Sequence, residues 1–338
     1  MKKDRYKYRL YVQAFLTSAM AFLSGLFLIN ALIDPLWYIN GNQLQPFNLS
    51  FNERASKINR YLKNPAQYDC IIFGSSVVTL LDESKIEDFR CFNFSFSAGN
   101  VHEFISYAQY IKALGAKPKL VIVGVDYFNF MDEALIDKSP DFVKAHNSPP
   151  SVLSTYLSYD SFRFSVRSLQ RRAPRNRNYD TNFIGFVSDS AKSYDPSEPR
   201  ESGDDFSLYY SVQPLSSDNT QYYKELRSIF SDAKYIGYVP LKSGWDTQSF
   251  MKQGYLENAL SVMYETNRVF DEFYDFSVPS VLAFQRDDTY DGYHYGRKTT
   301  NHVLNGIFYG VDLYHIQAHE LSEEGYMNAY IEQVKLFK

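Results

Sequence analysis

Three short clusters hold the residue types from which a nucleophilic site is built. Gly74-Ser75-Ser76 follows the apolar run Cys70-Ile71-Ile72-Phe73. A glycine permits a tight turn there, and a serine hydroxyl at a helix N-terminus is flanked by backbone N–H groups that stabilise an oxyanion. Asp291 and His294 lie three residues apart in the loop Asp287-Asp288-Thr289-Tyr290-Asp291-Gly292-Tyr293-His294. One turn of chain brings such a pair together, so that the carboxylate orients the imidazole while the imidazole takes a serine proton. Asn93 and Gly99-Asn100 close a second apolar run. Each cluster has a plainer use on its own: an ordinary turn, a capping Asp beside a surface His, a strand end.

Other candidates carry weaker chemistry. His315 and His319 are spaced i, i+4 with Glu320 adjacent, but HxxxHE is not the zincin order and a solvated helix explains it. Asp287 and Asp288 could supply paired carboxylates to a glycosidase, yet no partner at suitable separation is identified. His102 opens a helix beside Gly99 and reads as a cap or core residue. No metal-ligand spacing is present. Cys70 and Cys91 each open an expected strand; neighbouring parallel strands would put them within disulfide reach, and two buried free thiols remain the other reading.

The elements that must hold these residues alternate. Residues 51-64 have helical periodicity, with the linker 35-50 before them. A strand at Cys70-Ile71-Ile72-Phe73 is followed by a segment, 80-89, with charges at helix-like intervals. The strand Cys91-Phe92-Asn93-Phe94 passes into a helix over 101-114, stopped by Gly115 and Pro118. Lys119 to Val125 is apolar after its first residue and β-branched, as a central parallel strand requires. Helices are expected at 219-230, about 255-270 and about 298-308, with a strand at 234-240. The pattern implies an α/β fold built on a doubly wound parallel sheet, with ligand beyond the carboxyl ends of its strands. Residues 140-215 interrupt it as an insertion or cap. They hold one helix near 158-172, the arginines Arg167, Arg171, Arg172, Arg175 and Arg177, and the acidic stretch SYDPSEPRESGDD. The insertion reads either as a solvated excursion or as a lid whose arginines meet an anionic substrate or lipid headgroups.

The 338 residues, 45% hydrophobic and 22% charged with 29 Tyr and 27 Phe, and a mean hydropathy of -0.36 describe a packed body and exclude disordered, collagenous and multi-span classes. The first ten residues carry five basic groups and one acid, or +4, so the formal charge of -4 leaves -8 for the rest. Such a body is a poor nucleic-acid binder. From Leu10 to Ile33 the chain runs 24 residues without a formal charge, a helix of about 36 Å against a bilayer core of about 30 Å. Residues 1-9 then form a basic cytoplasmic tail, 10-33 a transmembrane helix, 34-65 a linker and lead-in helix, and 66-338 the α/β domain, exported by the positive-inside rule. The rival readings are a signal peptide cut near Ala19-Met20-Ala21 and a buried core helix.

Taken together, an apolar strand ending in Gly74-Ser75-Ser76, a second strand with Gly99 beyond it, and a late Asp291-x-x-His294 resemble the SGNH/GDSL hydrolase superfamily. The similarity is to its membrane-anchored envelope branch, that of the alginate O-acetylation proteins and the teichoic acid D-alanyl transfer protein, and it covers roughly 66-130 and 230-310. The resemblance implies a flavodoxin-like sheet of SGNH type and an esterase or acyltransferase acting on an ester group of a cell-envelope or exported polysaccharide, without metal or organic cofactor. It implies Ser76 as nucleophile, with Ser75 as the alternative hydroxyl, His294 as base and Asp291 as its orienting acid. Oxyanion donors would be the N–H groups of Ser76 and Gly99. Many members have Gly-x-Asn-Asp where this chain has Gly124-Val125-Asp126-Tyr127-Phe128-Asn129, so Asn129 or Asn100 would supply the side-chain donor. Implied partners are the bilayer through residues 10-33, a glycan or acyl donor, and a membrane-bound acyltransferase, at the inner membrane with the domain periplasmic or extracellular. The alternative is a catalytically inactive module that binds glycan or scaffolds an envelope biosynthesis complex.

Overall fold

The computed structural model describes residues 2–131, 135–173, 176–188, 194–197, 215–311 and 314–337. Arg175 and most of the acidic stretch 193–205 lie outside them. In chain order the elements are α1 (Lys2–Ile33), β1 (Phe47–Leu49), α2 (Glu53–Leu62), β2 (Cys70–Gly74), β3 (Cys91–Ser95), α3 (Val101–Ala113), β4 (Leu120–Gly124), α4 (Asp141–Lys144), α5 (Val152–Tyr156), α6 (Tyr159–Leu169), β5 (Arg177–Asp180) and β6 (Gly185–Val187). They continue with α7 (Thr220–Ile229), β7 (Lys234–Val239), α8 (Gly244–Lys252), α9 (Leu256–Asn267), β8 (Glu272–Asp275), α10 (Arg297–Tyr309), β9 (Ile316–Gln317) and α11 (Glu323–Leu336). The chain divides into two compact units, residues 1–60 with 148–183 and residues 61–147 with 184–338.

The larger unit is mixed α/β, built on a six-stranded sheet of order β3-β2-β4-β7-β8-β9. The first five strands are parallel, and β9 runs antiparallel to β8. Every residue of β2 and β4 is buried, which is why these strands read as unbroken apolar runs. The order reverses at β2, with β3 on one side and β4 on the other, so the loops after β2 and β4 flank the crevice where such sheets bind ligands. Helix α3 starts cleanly because Asn100 and Glu103 form a reciprocal capping box.

Residues 80-89 are not helical: short 3₁₀ turns at Val78–Leu80 and Glu83–Lys85 carry the chain to β3. Asp82 caps the second turn, accepting from the Ser84 N–H, so the charge spacing there marks turns. His315 and His319 do not share a helix, since β9 and a 3₁₀ turn, Ala318–Glu320, separate them. Strand β8 escaped the sequence reading because its Glu272 and Asp275 ends break the apolar run, and Asp275 is fully buried.

Cys70 and Cys91 pair directly across β2 and β3 and form a disulfide with their Cα atoms 4.2 Å apart. The bridge spans 21 residues, a loop whose closure stabilises the fold by about 3 kcal/mol in the chain-entropy model. The Cys70→Ser/Cys91→Ser double variant is expected to lose that much in denaturant titrations, with a steeper slope because the unfolded chain is no longer closed into a loop.

The smaller unit gathers α1, β1, α5, α6 and β5. Helix α1 is long and apolar enough over Arg5–Ile33 to cross a membrane, and α5 and α6 pack against it. Asp34, directly after α1, is buried and accepts hydrogen bonds from the Ile39 and Gly41 N–H groups at 2.9 and 2.6 Å and from the Tyr156 hydroxyl. The linker contributes β1, which pairs antiparallel with β5 through Phe47↔Asp180 and Leu49↔Asn178.

Candidate active site

The chain from Cys70 to Asp82 is buried at every position except Ser76. Strand β2 ends at Gly74, where a Cβ would stand 2.4 Å from the Val78 side chain, so only glycine lets the turn fold back so closely. That turn lifts the Ser76 hydroxyl out of the core. His294 Nε2 lies 2.8 Å from Ser76 Oγ, and His294 Nδ1 lies 2.6 Å from Asp291 Oδ2. The hydroxyl, the imidazole and the carboxylate therefore form one hydrogen-bonded line across 218 positions of sequence.

The loop that carries Asp291 and His294 is tied down along its length. Asp291 Oδ1 accepts the N–H groups of Tyr293 and His294 at 2.9 and 2.7 Å, which curls the loop back on the carboxylate. Gly292 sits at φ +73°, a left-handed conformation that glycine adopts without steric cost, and its N–H donates to Thr289 Oγ1 at 2.9 Å. The Tyr290 ring stacks on the imidazole at 5.2 Å between centroids, and Tyr293 meets it edge-on. Asp288 is a structural residue: its Oδ2 accepts the Thr299 N–H at 2.7 Å and caps α10. Asp287 is exposed, so the two do not converge as a carboxylate pair.

Burial alone pushes the Asp291 carboxyl up, but His294 and the backbone N–H groups of residues 293 and 294 outweigh it and hold the pKa at about 2. A carboxyl depressed in the fold stabilises it fully above its ordinary value of 3.8, and that contribution is lost as pH falls from 3.8 towards 2. Wild type is thus expected to exceed Asp291→Asn by about 2 kcal/mol at neutral pH, with the gap closing below pH 4, in denaturant titrations run at successive pH values.

The expected oxyanion donors fare unequally. The Gly99 N–H donates to the Phe96 carbonyl at 2.9 Å. Its glycine is explained by packing instead, because a Cβ there would lie 2.7 Å from the Gly74 carbonyl oxygen. The Asn100 amide is spent on the Ile136 carbonyl at 2.8 Å and on Glu103, while its Oδ1 caps α3. Asn129 differs: its Oδ1 accepts the Val101 N–H at 2.8 Å, and its buried Nδ2 has no hydrogen-bond partner among the described residues. Ser75 is 1% exposed, and its hydroxyl stabilises the charged form of Asp126, although neither Ser75 Oγ nor Asp126 Oδ2 reaches hydrogen-bonding geometry. The hydroxyl in line with His294 is that of Ser76.

Two buried titratable residues, Asp126 and Lys242, escaped the sequence reading. Asp126 is fully buried and accepts the Tyr293 hydroxyl at 2.8 Å. Burial pushes its pKa up, against the opposing pull of Ser75, Tyr293, Lys242 and His294. Lys242, 8% exposed, holds its ammonium 3.5 Å from the centre of the Tyr127 ring. Burial lowers its pKa to about 8, opposed by Asp126, Asp246 and Asp275. The sequence signal is the polar Asp126 just past the carboxyl end of the apolar strand β4.

His102 packs edge-on against Tyr222 at 4.3 Å, as a core residue would. Among the described residues no group of three or more His, Cys, Asp or Glu side chains is placed to hold a metal ion. The described insertion arginines differ in their settings: Arg167 lies over the Phe51 ring at 5.2 Å, Arg171 and Arg172 are exposed, and Arg177 is buried on β5. Compared with known proteins, the chain matches no family model, no curated protein and no solved structure.

Proposed function

We propose that this chain is a membrane-anchored serine esterase or O-acyltransferase of SGNH type, acting on an ester group of a cell-envelope or exported polysaccharide. The observation that carries the reading is the Ser76–His294–Asp291 line, with spacings of 2.8 and 2.6 Å. It stands beside the loop after β2, where a sheet of flavodoxin-like order, 2-1-3-4-5 in its first five strands, reverses direction. Ser76 Oγ attacks the ester carbonyl while His294 Nε2 takes its proton, and Asp291 stabilises the imidazolium. The tetrahedral oxyanion then collapses, His294 protonates the departing alcohol, and an acyl-Ser76 remains for water or a sugar hydroxyl to attack. Asn129 Nδ2, the buried donor without a partner among the described residues, is our choice for the side-chain contribution to the oxyanion site, beside the N–H of Ser76.

Helix α1 is the proposed single span, with the basic N-terminus cytoplasmic and the α/β unit on the periplasmic or extracellular side. The Cys70–Cys91 disulfide fits an oxidising compartment. A glycan or acyl donor is the proposed substrate, and a membrane-bound acyltransferase the proposed source of acyl groups.

A second reading, an inactive module that binds glycan or scaffolds a biosynthetic complex, draws on one observation: the Gly99 N–H and the Asn100 amide are already engaged. Treatment of the full chain with a fluorophosphonate separates the two. A catalyst is labelled on Ser76 and loses the label in His294→Ala. A chain that stays unlabelled in wild type while retaining glycan affinity is the module.

A further inference from the structure

Helix α6 is built inside out. Its buried residues are the serines Ser161, Ser165 and Ser168, at 1%, 0% and 3% exposure, whereas Tyr159, Phe162 and Leu169 stand 76%, 40% and 53% exposed. In water an amphipathic helix buries its large apolar side chains and exposes its small polar ones. The reverse arrangement is the one expected where the outer medium is itself apolar and small residues let helices pack closely. Leu153 of α5 continues the surface at 60% exposure.

Position along α1 gives the same answer. Helix α1 is exposed through Phe15, Met20 and Phe22; from Leu26 onwards one side of it is covered, through Phe27 to buried Asn30 and Ile33, while Leu28, Ile29 and Leu32 stay exposed. The cover over that last stretch includes α5: Asn30 Nδ2 donates to the Tyr156 carbonyl at 2.7 Å, and Phe27 meets the Tyr156 ring at 6.3 Å. A bilayer core of about 30 Å entered at Leu10 takes about 20 residues and ends near residue 29. The covered stretch therefore straddles the outer boundary of that core, where α5 meets it, and α6 packs against the same helix. Residues 151–172 carry four arginines and one acid, Asp160, and Arg163, Arg171 and Arg172 are exposed.

We infer that α5 and α6 form a membrane-contact element lying in the outer interface, with Leu153, Tyr159, Phe162 and Leu169 among the lipid chains and Arg163, Arg171 and Arg172 on anionic phosphate headgroups. The inference rests on α1 being a span. It extends membrane contact from one helix to a second, distant segment of the chain and assigns that segment a preference for acidic phospholipid.

The test uses the full chain in vesicles of phosphatidylcholine, alone or mixed with phosphatidylglycerol. A bimane is placed through Phe162→Cys, Leu153→Cys or, as the control on α1, Leu16→Cys; the native cysteines are paired and leave each new thiol as the one labelled. Brominated lipid is expected to quench all three positions. Spin-labelled phosphatidylglycerol is expected to associate in preference to phosphatidylcholine, and Arg163→Gln, Arg171→Gln and Arg172→Gln to reduce that preference by up to about fivefold each. Quenching at 16 without quenching at 153 and 162 overturns the inference and leaves the span intact. Loss of quenching at all three overturns both. Quenching throughout, with a lipid preference indifferent to the three arginines, overturns the headgroup assignment.

Discussion

Ser76→Ala is expected to lower p-nitrophenyl acetate hydrolysis by the full chain at least about 10³-fold, because it removes the atom that accepts the acyl group rather than one that assists. His294→Ala is expected to fall by a similar factor. Without the imidazole, Ser76 Oγ has no acceptor for its proton at 2.8 Å, and a neutral serine hydroxyl is a weak nucleophile. The double variant is then expected to be no slower than either single one, since two members of one proton-transfer unit do not contribute additively. Ser75 gives no rescue: its hydroxyl is buried on the Asp126 side and is 1% exposed. Equal rates in wild type and both variants would mean that the measured hydrolysis arises elsewhere, and the glycan-binding module would stand in place of the enzyme.

Much of this site was legible because its chemistry is local in two of three parts. Asp291 and His294 fall within one turn of loop, and Gly74-Ser75-Ser76 closes a strand whose burial on both faces makes it a solid apolar run. Their convergence was an expectation from chain topology, which places loops after neighbouring parallel strands on one edge of the sheet. What escaped has a common physical cause. Strand β8 buries Asp275 at its end, where Ser277 donates to one carboxylate oxygen at 2.8 and 2.6 Å and the Tyr326 hydroxyl to the other. A carboxylate buried partly through a hydroxyl 51 positions away looks solvated in the sequence. Asp34, which accepts the Tyr156 hydroxyl, and Asp126, which accepts that of Tyr293, are hidden in the same way. Two of the expected oxyanion donors, Gly99 and Asn100, have their hydrogens used locally, by a turn and by the capping box of α3, which residue type alone does not reveal. Helix α6 misled in the opposite sense, since its periodicity identifies a helix without revealing that the serine side faces inward.

Asp126→Ala is expected to cost about 1 to 3 kcal/mol of stability, the range for taking away one partner of a buried hydrogen bond. The carboxylate is fully buried beside Lys242 and takes the Tyr293 hydroxyl at 2.8 Å. Its loss removes one of the carboxylates whose charge opposes the desolvation of the Lys242 ammonium, 8% exposed, and it takes away the carboxylate that accepts the buried Tyr293 hydroxyl. Tyr293 precedes His294 directly, and its N–H and that of His294 share Asp291 Oδ1. Loosening Tyr293 therefore disturbs the imidazole that faces Ser76. Stability and turnover are expected to part company in Asp126→Ala/Lys242→Met. Removing Lys242 as well restores part of the stability, because no ammonium is then left buried with one carboxylate fewer near it. The rate stays low, because Tyr293 still lacks the Asp126 carboxylate. Denaturant midpoints and kcat for the single and double variants close the cycle. Recovery of both quantities together would mean that Asp126 serves only to neutralise Lys242, whereas recovery of stability alone identifies it as the residue that positions the histidine loop.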